Sequence, residues 1–198
     1  MRRARLNFKE FQEYIARDKG VKAKMLDIIK PKVEESKQIL IAEFSSHPVS
    51  TEIASGPNSS NSSGTLGGYG NLFSFIGFSS GDNPVDRWVN FIKKAIMLQD
   101  RIDVSISGGD EIVFKFKINS ISNEDLLSAG SMPWEGGRSW IEAVERGISG
   151  FSFYISKAST GRSGGGIQSK NKKKSGGSFR NVPYWSRMWN NFNKNISQ

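Results

Sequence analysis

The chain has 198 residues, enough for one domain with a real core or a domain with arms, and 28 Lys/Arg against 19 Asp/Glu leave it at +9. It has no cysteine and one histidine, which excludes a disulfide framework and both thiolate and histidine-rich metal sites. No apolar run approaches the ~18 residues of a membrane span, and none follows the basic start MRRARLNF. Neither a span nor a signal peptide is therefore expected, and the chain reads as one kept in a reducing, aqueous compartment.

Asn7 and Glu10 form a capping-box pattern, with Phe8, Phe11 and Ile15 on one face, which predicts a short helix to about Asp18 closed by Gly20. Val21, Met25, Ile28, Ile29, Val33, Leu40, Ile41 and Phe44 then recur at helical spacing, giving a long helix to about Ser45. Pro31 inside it predicts a kink or the first turn of a second helix. Residues 46–70 are almost all small or polar and read as a Gly/Ser-rich arm ordered only against a partner. Asn71–Phe78 reads as a strand covered on both sides, with Phe73, Phe75 or both in the core. Asp82 or Asn83 caps the next helix, whose core face is Val85, Trp88, Ile92, Ala95 and Ile96.

Ile102, Val104 and Ile106, then Ile112, Phe114, Phe116 and Ile118, alternate with mostly polar residues about a Gly108-Gly109-Asp110 turn, which predicts a β-hairpin. A short capped helix over Ser122–Leu127, a helix from about Ser139 and a last strand at Phe151–Ile155 follow. Pro183 opens a final helix with Trp185, Met188, Trp189, Phe192 and Ile196 in one stripe. The expected architecture is α+β: a mainly antiparallel four-stranded sheet packed with helices, a long N-terminal helix and two extended Gly/Ser-rich arms. Its divisions are a domain over 1–156, a basic low-complexity arm over 157–182 and a docking helix over 183–198.

The charge is unevenly placed. Residues 157–198 hold nine Lys/Arg and no acid, so the whole excess lies there. This bias points to an acidic partner, protein or nucleic acid. Partner-contact candidates are Arg162, Lys170, Lys172, Lys173, Lys174 and Arg180 in the arm, with Trp185 and Trp189 after it. The aromatics fall on a helical stripe, which by default packs rather than stacks on bases.

Catalytic patterns are missing. The glycine-rich Gly64–Gly70 stretch has Phe73 where a dinucleotide loop needs its third glycine, and the sequence has no Gly-Lys pair for a P-loop. Preceding an expected strand, the stretch also sits on the wrong side of it for either motif. His47, the sole histidine, reads as a helix C-terminal residue beside the last carbonyls. The pairs Glu34-Glu35, Asp110-Glu111 and Glu124-Asp125 are adjacent in sequence and so point apart. No enzyme, cofactor or metal site is expected.

Five phrases together resemble the neck, or tail-completion, proteins of contractile-tailed bacteriophages. They are HPVSTEI (His47–Ile53), SGPNSSNSSGTLGGYGNLFSFIGF (Ser55–Phe78), WEGGRSWIEAVERGISGFSFYI (Trp134–Ile155), RSGGGIQ (Arg162–Gln168) and the closing NVPYWSRMWNNFNKNI. Within the third, Ser139, Trp140, Glu145, Gly147, Ile148 and Gly150 occupy the family's positions. The resemblance implies a structural virion part, assembled in the bacterial host, that forms a ring, six-fold by expectation, between head connector and tail. Implied partners are copies of itself and adjacent neck, portal-adaptor or tail-tube, terminator or sheath proteins, with DNA in the channel a further one. The cluster KNKKK is more basic than the phrase around it requires.

Overall fold

The structure, a computed structural model, describes residues 7–66, 70–107, 111–119, 121–133, 137–146 and 182–197. Helix α1 (Phe8–Arg17) meets α2 (Lys19–Ser46) at Asp18, whose carboxylate caps the new helix by accepting from Val21 N–H at 2.8 Å. The expected box at Asn7 is not made, for its side chain caps nothing. The apolar stripe of α1 is also not buried: Phe8 and Phe11 are 50 % and 45 % exposed, whereas Gln12 is 5 % exposed. This helix rests on the hairpin, off the main core.

Pro31 sits within the single helix α2 on its exposed side, so the carbonyl it deprives of a donor, that of Asp27, faces water. Only the second half of α2 enters the core, through Val33, Leu40 and Phe44. At His47 the chain turns into α3 (Pro48–Ala54), followed by a 3-10 turn at Gly56–Asn58.

The expected four-stranded sheet is overturned. The described residues are mostly helical, and their sheet is the two-stranded antiparallel hairpin of β1 (Leu98–Ile106) and β2 (Ile112–Ile118). Its register, Ile106 with Ile112, Val104 with Phe114 and Ile102 with Phe116, follows the alternation, and β1 bulges between Leu98 and Ile102. The Gly108–Asp110 turn and the Phe151–Ile155 strand lie outside the described residues.

The strand expected at Asn71–Phe78 is a helix, α4 (Leu72–Ile76). The end groups decide it. Asn71 Oδ1 accepts from Ser74 N–H at 2.9 Å, and Gly77, at φ 88°, takes the left-handed conformation that lets Phe78 N–H reach back to the Phe73 carbonyl at 3.1 Å. Capping at both ends overrides the β preference of Phe and Ile. Phe73 is nonetheless in the core, 1 % exposed, and Phe75 is half-buried.

Helix α5 (Pro84–Ala95) buries Val85, Trp88 and Ile92 as its spacing requires, with Ile96 just beyond. Helix α6 (Asn123–Ala129) carries a full capping box, Ser122 with Asp125. Those Ser122 hydrogen bonds hold the Asp125 carboxyl below its ordinary range. Helices α7 (Trp140–Arg146) and α8 (Trp185–Ser197) complete the described elements. The core is aromatic at its centre. Phe44 lies 5.4 Å from Tyr184, 6.3 Å from Trp185 and 6.4 Å from Trp140, and Trp88 meets Trp185 edge-on at 5.2 Å. Each such ring, fully buried, contributes ~1.5–3 kcal/mol from area alone.

Candidate functional site

The densest polar site joins the corner of α2 and α3 to the start of α8. Tyr184 is fully buried, and its hydroxyl shares a 2.5 Å hydrogen bond with Ser50 Oγ, also fully buried. Burial pushes the Tyr184 phenol far above its ordinary value, so it stays neutral and serves as a hydrogen-bonding group. In the last turn of α7, Glu145 turns a single oxygen, Oε1, to three donors: Tyr184 N–H at 3.0 Å, Ser186 N–H at 2.8 Å and Ser186 Oγ at 2.6 Å. A carboxylate from one helix thereby caps another, where the N–H groups and the helix dipole both favour negative charge. The stretch of residues 147–181 leaves at α7 and re-enters at α8, and this cap ties the two points together.

The second site organises what the sequence suggests is an arm. Glu52 of α3 is 1 % exposed, and its two oxygens accept from Leu72 N–H and Ser63 N–H, each at 2.7 Å. Asn71 donates to the carbonyls of Pro57 and Ser59 at 2.7 and 3.1 Å. Residues 46–66 are accordingly not extended. They form α3, the 3-10 turn and a loop, held to the body by one carboxylate, one amide and the buried side chains of Val49, Ile53 and Leu66.

The glycine-rich stretch thus opens a helix after all, contrary to the reading that set it before a strand. Glu52 and Asn71, however, already hold the Leu72 and Ser74 amides at that helix start. A phosphate would have to displace a buried carboxylate, and no Gly-Lys pair supplies the compensating cation.

Of the partner-contact candidates, Arg162, Lys170, Lys172, Lys173, Lys174 and Arg180 lie outside the described residues. Trp185 is 7 % exposed, wedged between Phe44 and Trp88, so its ring is engaged within the subunit. Trp189 is half-buried and stacks on both Trp185, at 5.8 Å, and Phe192, at 5.1 Å. A packing stripe is therefore what α8 presents to its own chain.

A groove of about 700 Å³ runs beside α5, lined among others by Arg87, Asn90, Lys94, Ser128 and Ser131. Its carboxylate, Asp82, accepts from Ser79 N–H at 2.9 Å, and the site pairs no nucleophile with a base. Among the described residues no three His, Cys, Asp or Glu side chains converge as a metal site, and no helix is long and apolar enough to cross a membrane.

Sequence reasoning missed Ser50, Glu52 and Glu145 as organising residues. Their partners lie 134, 20 and 39 or 41 positions away, and no local spacing encodes such pairs. Comparison of the chain with protein-family models, with curated proteins and with solved structures finds no match in any of the three.

Proposed function

We propose that this protein is a non-catalytic structural component of a tailed-phage virion, forming a ring in the neck that completes the tail or joins it to the head connector. The observation that supports this reading is where the resembling phrases meet. His47–Ile53 touches the closing phrase through Ser50 and Tyr184, and touches the glycine-rich phrase through Glu52 and Leu72. The glycine-rich phrase meets Trp140 through Phe78 at 6.0 Å, and Glu145 returns to Tyr184 and Ser186. Phrases far apart in sequence thus build one framework. A pattern that encodes a framework, rather than a reactive site, suits a part whose work is to hold shape between neighbours.

In this reading the basic stretch, fastened at both ends by the Glu145 cap, is displayed once per subunit and multiplied by the ring. It faces an acidic protein surface of the adjoining ring. Negative-stain images and a solution mass of the full chain test the proposal, with a closed ring, six subunits by expectation, as the predicted result. The second reading, a nucleic-acid-binding accessory protein, draws on the same acid-free stretch. A subunit that stays monomeric alone and with neck proteins, yet binds DNA with a steep salt dependence, would transfer the assignment to it.

A further inference from the structure

The hairpin ends in an open edge. Helices α1 and α2 pack on β1, which leaves β2 outermost, and among the described residues no strand pairs with its far side. The phase of the ladder says which groups lie there. Ser107 N–H donates to the Glu111 carbonyl at 3.1 Å, so these two are a bonded pair, and bonded pairs alternate along an antiparallel ladder. Val113 and Lys115 therefore turn their backbone groups toward β1, and Ile112, Phe114 and Phe116 turn theirs away. The same three residues continue the apolar row that starts at Ile102, 8 % exposed, and thins to half-buried side chains where the sheet stops.

The other face of β2 carries Glu111, Val113, Lys115 and Lys117, all exposed. Lys117 reaches Asp103 at 3.7 Å, a carboxylate that Arg101 also contacts, while among the described residues no ion pair forms at Glu111 or Lys115. An edge with free amides is a template for a further strand, and side-chain pairing decides the register. Two copies of β2 set antiparallel about Phe114 place Ile112 opposite Phe116 and Glu111 opposite Lys117, with Val113 along the Lys115 stem. The register centred on Lys115 overlaps more strand but sets Lys115 against itself. The next one sets Lys115 against Lys117, and like charges directly opposite disfavour pairing.

We propose that β2 pairs with β2 of a second copy of this chain, antiparallel about Phe114, so that one sheet runs across a two-fold axis. Ile112 with Phe116, and Phe114 with its own counterpart, then exchange the hydrogen bonds that β1 does not use. The apolar rows of the two copies become one, and Glu111 finds its cation in Lys117 of the second copy. Such a contact closes on itself, so this inference does not depend on the assembly role.

The test uses the full chain. Over a concentration series up to about 1 mM, mass measurement should show monomers giving a dimer or an even-numbered larger species. Amide exchange at Ile112, Phe114 and Phe116 should slow about tenfold once about nine-tenths of the chain is associated, with Val113 and Lys115 protected throughout. Glu111→Lys and Lys117→Glu each set like charges opposite and should weaken association about tenfold. An equimolar mixture of the two should associate as the native chain does, because each then supplies the charge that the other lacks. Lys117 also serves Asp103, so Phe114→Pro gives a second arm: it removes an amide that β1 does not use and should abolish association with the Val113 and Lys115 protection intact. A chain that stays monomeric throughout overturns the pairing. So does association that leaves the three amides unprotected, a mixture no tighter than its components, or native association by Phe114→Pro. Protection already present in the monomer would put a segment of the same chain on the edge, and protection gained only on adding another protein would put a foreign strand there; either result overturns it.

Discussion

Replacing Ser50 by Ala strands the Tyr184 hydroxyl in a site from which water is excluded. Both groups are fully buried and each is the other's partner, so Ser50→Ala and Tyr184→Phe should each cost about 1–3 kcal/mol. The double variant removes donor and acceptor together and should cost clearly less than the sum, with a coupling of about 1–2 kcal/mol in urea unfolding. Additive losses would mean that the pair contributes nothing as a pair. Glu52 differs in kind, because a whole loop depends on it. Glu52→Ala should cost about 2–3 kcal/mol and selectively raise amide exchange at residues 59–65, which its oxygens and Asn71 hold ahead of the core-buried Leu66. Uniform exchange across the chain would show instead that the loop has other anchors.

Elements here are set by their ends as much as by their faces. Gly130 closes α6 where the chain doubles back on α7. Its carbonyl accepts from Trp140 N–H at 2.8 Å, and a Cβ there would lie 2.8 Å from Ser139 Oγ and 2.9 Å from the Leu126 carbonyl. Gly130→Ala should therefore cost about 1–3 kcal/mol, and trimming Ser139 as well should not restore it, since the Leu126 contact is with backbone. A neutral Gly130→Ala in a thermal melt would refute the close approach. The same sensitivity to ends explains what could be read beforehand. The hairpin, α5, α6 and the inward stripes of α7 and α8 were legible because each carries its period and its boundary signal in one window: alternation in β1 and β2, Pro84 before Trp88, Ser122 before Asp125. Helix α4 was not, because five residues are too few to display a helical period. Its deciding groups, Asn71 and Gly77, read equally well as the punctuation of a strand. Likewise α1 shows a clean apolar stripe that the tertiary context leaves in solvent, and residues 46–66 look unanchored because their apolar anchors, Val49, Ile53 and Leu66, are few and widely spaced and the others, Glu52 and Asn71, are polar.

For the molecule as a whole, the sequence located the charge but not its tether. Nine cationic residues and no acid in 157–198 are visible at once, whereas the Glu145 cap at the root of that stretch joins residues 39 positions apart. If the neck role proposed above holds, replacing Lys172, Lys173 and Lys174 by Ser should leave subunit stability unchanged while impairing head–tail joining, more so at high salt, where the remaining attraction is screened. Normal joining by the triple variant at every salt concentration would reduce the stretch to a spacer. The contact between Ser50 and Tyr184 also has a consequence in time. During synthesis, 134 residues must be added after Ser50 before its partner exists. At ribosomal rates of about 5–20 residues per second, that is roughly 7–27 s during which Phe44 and the α2–α3 corner have no α8 to cover them. The nascent chain therefore carries an aromatic face without its α8 cover through that interval, in which a chaperone or an early-bound neighbour can act.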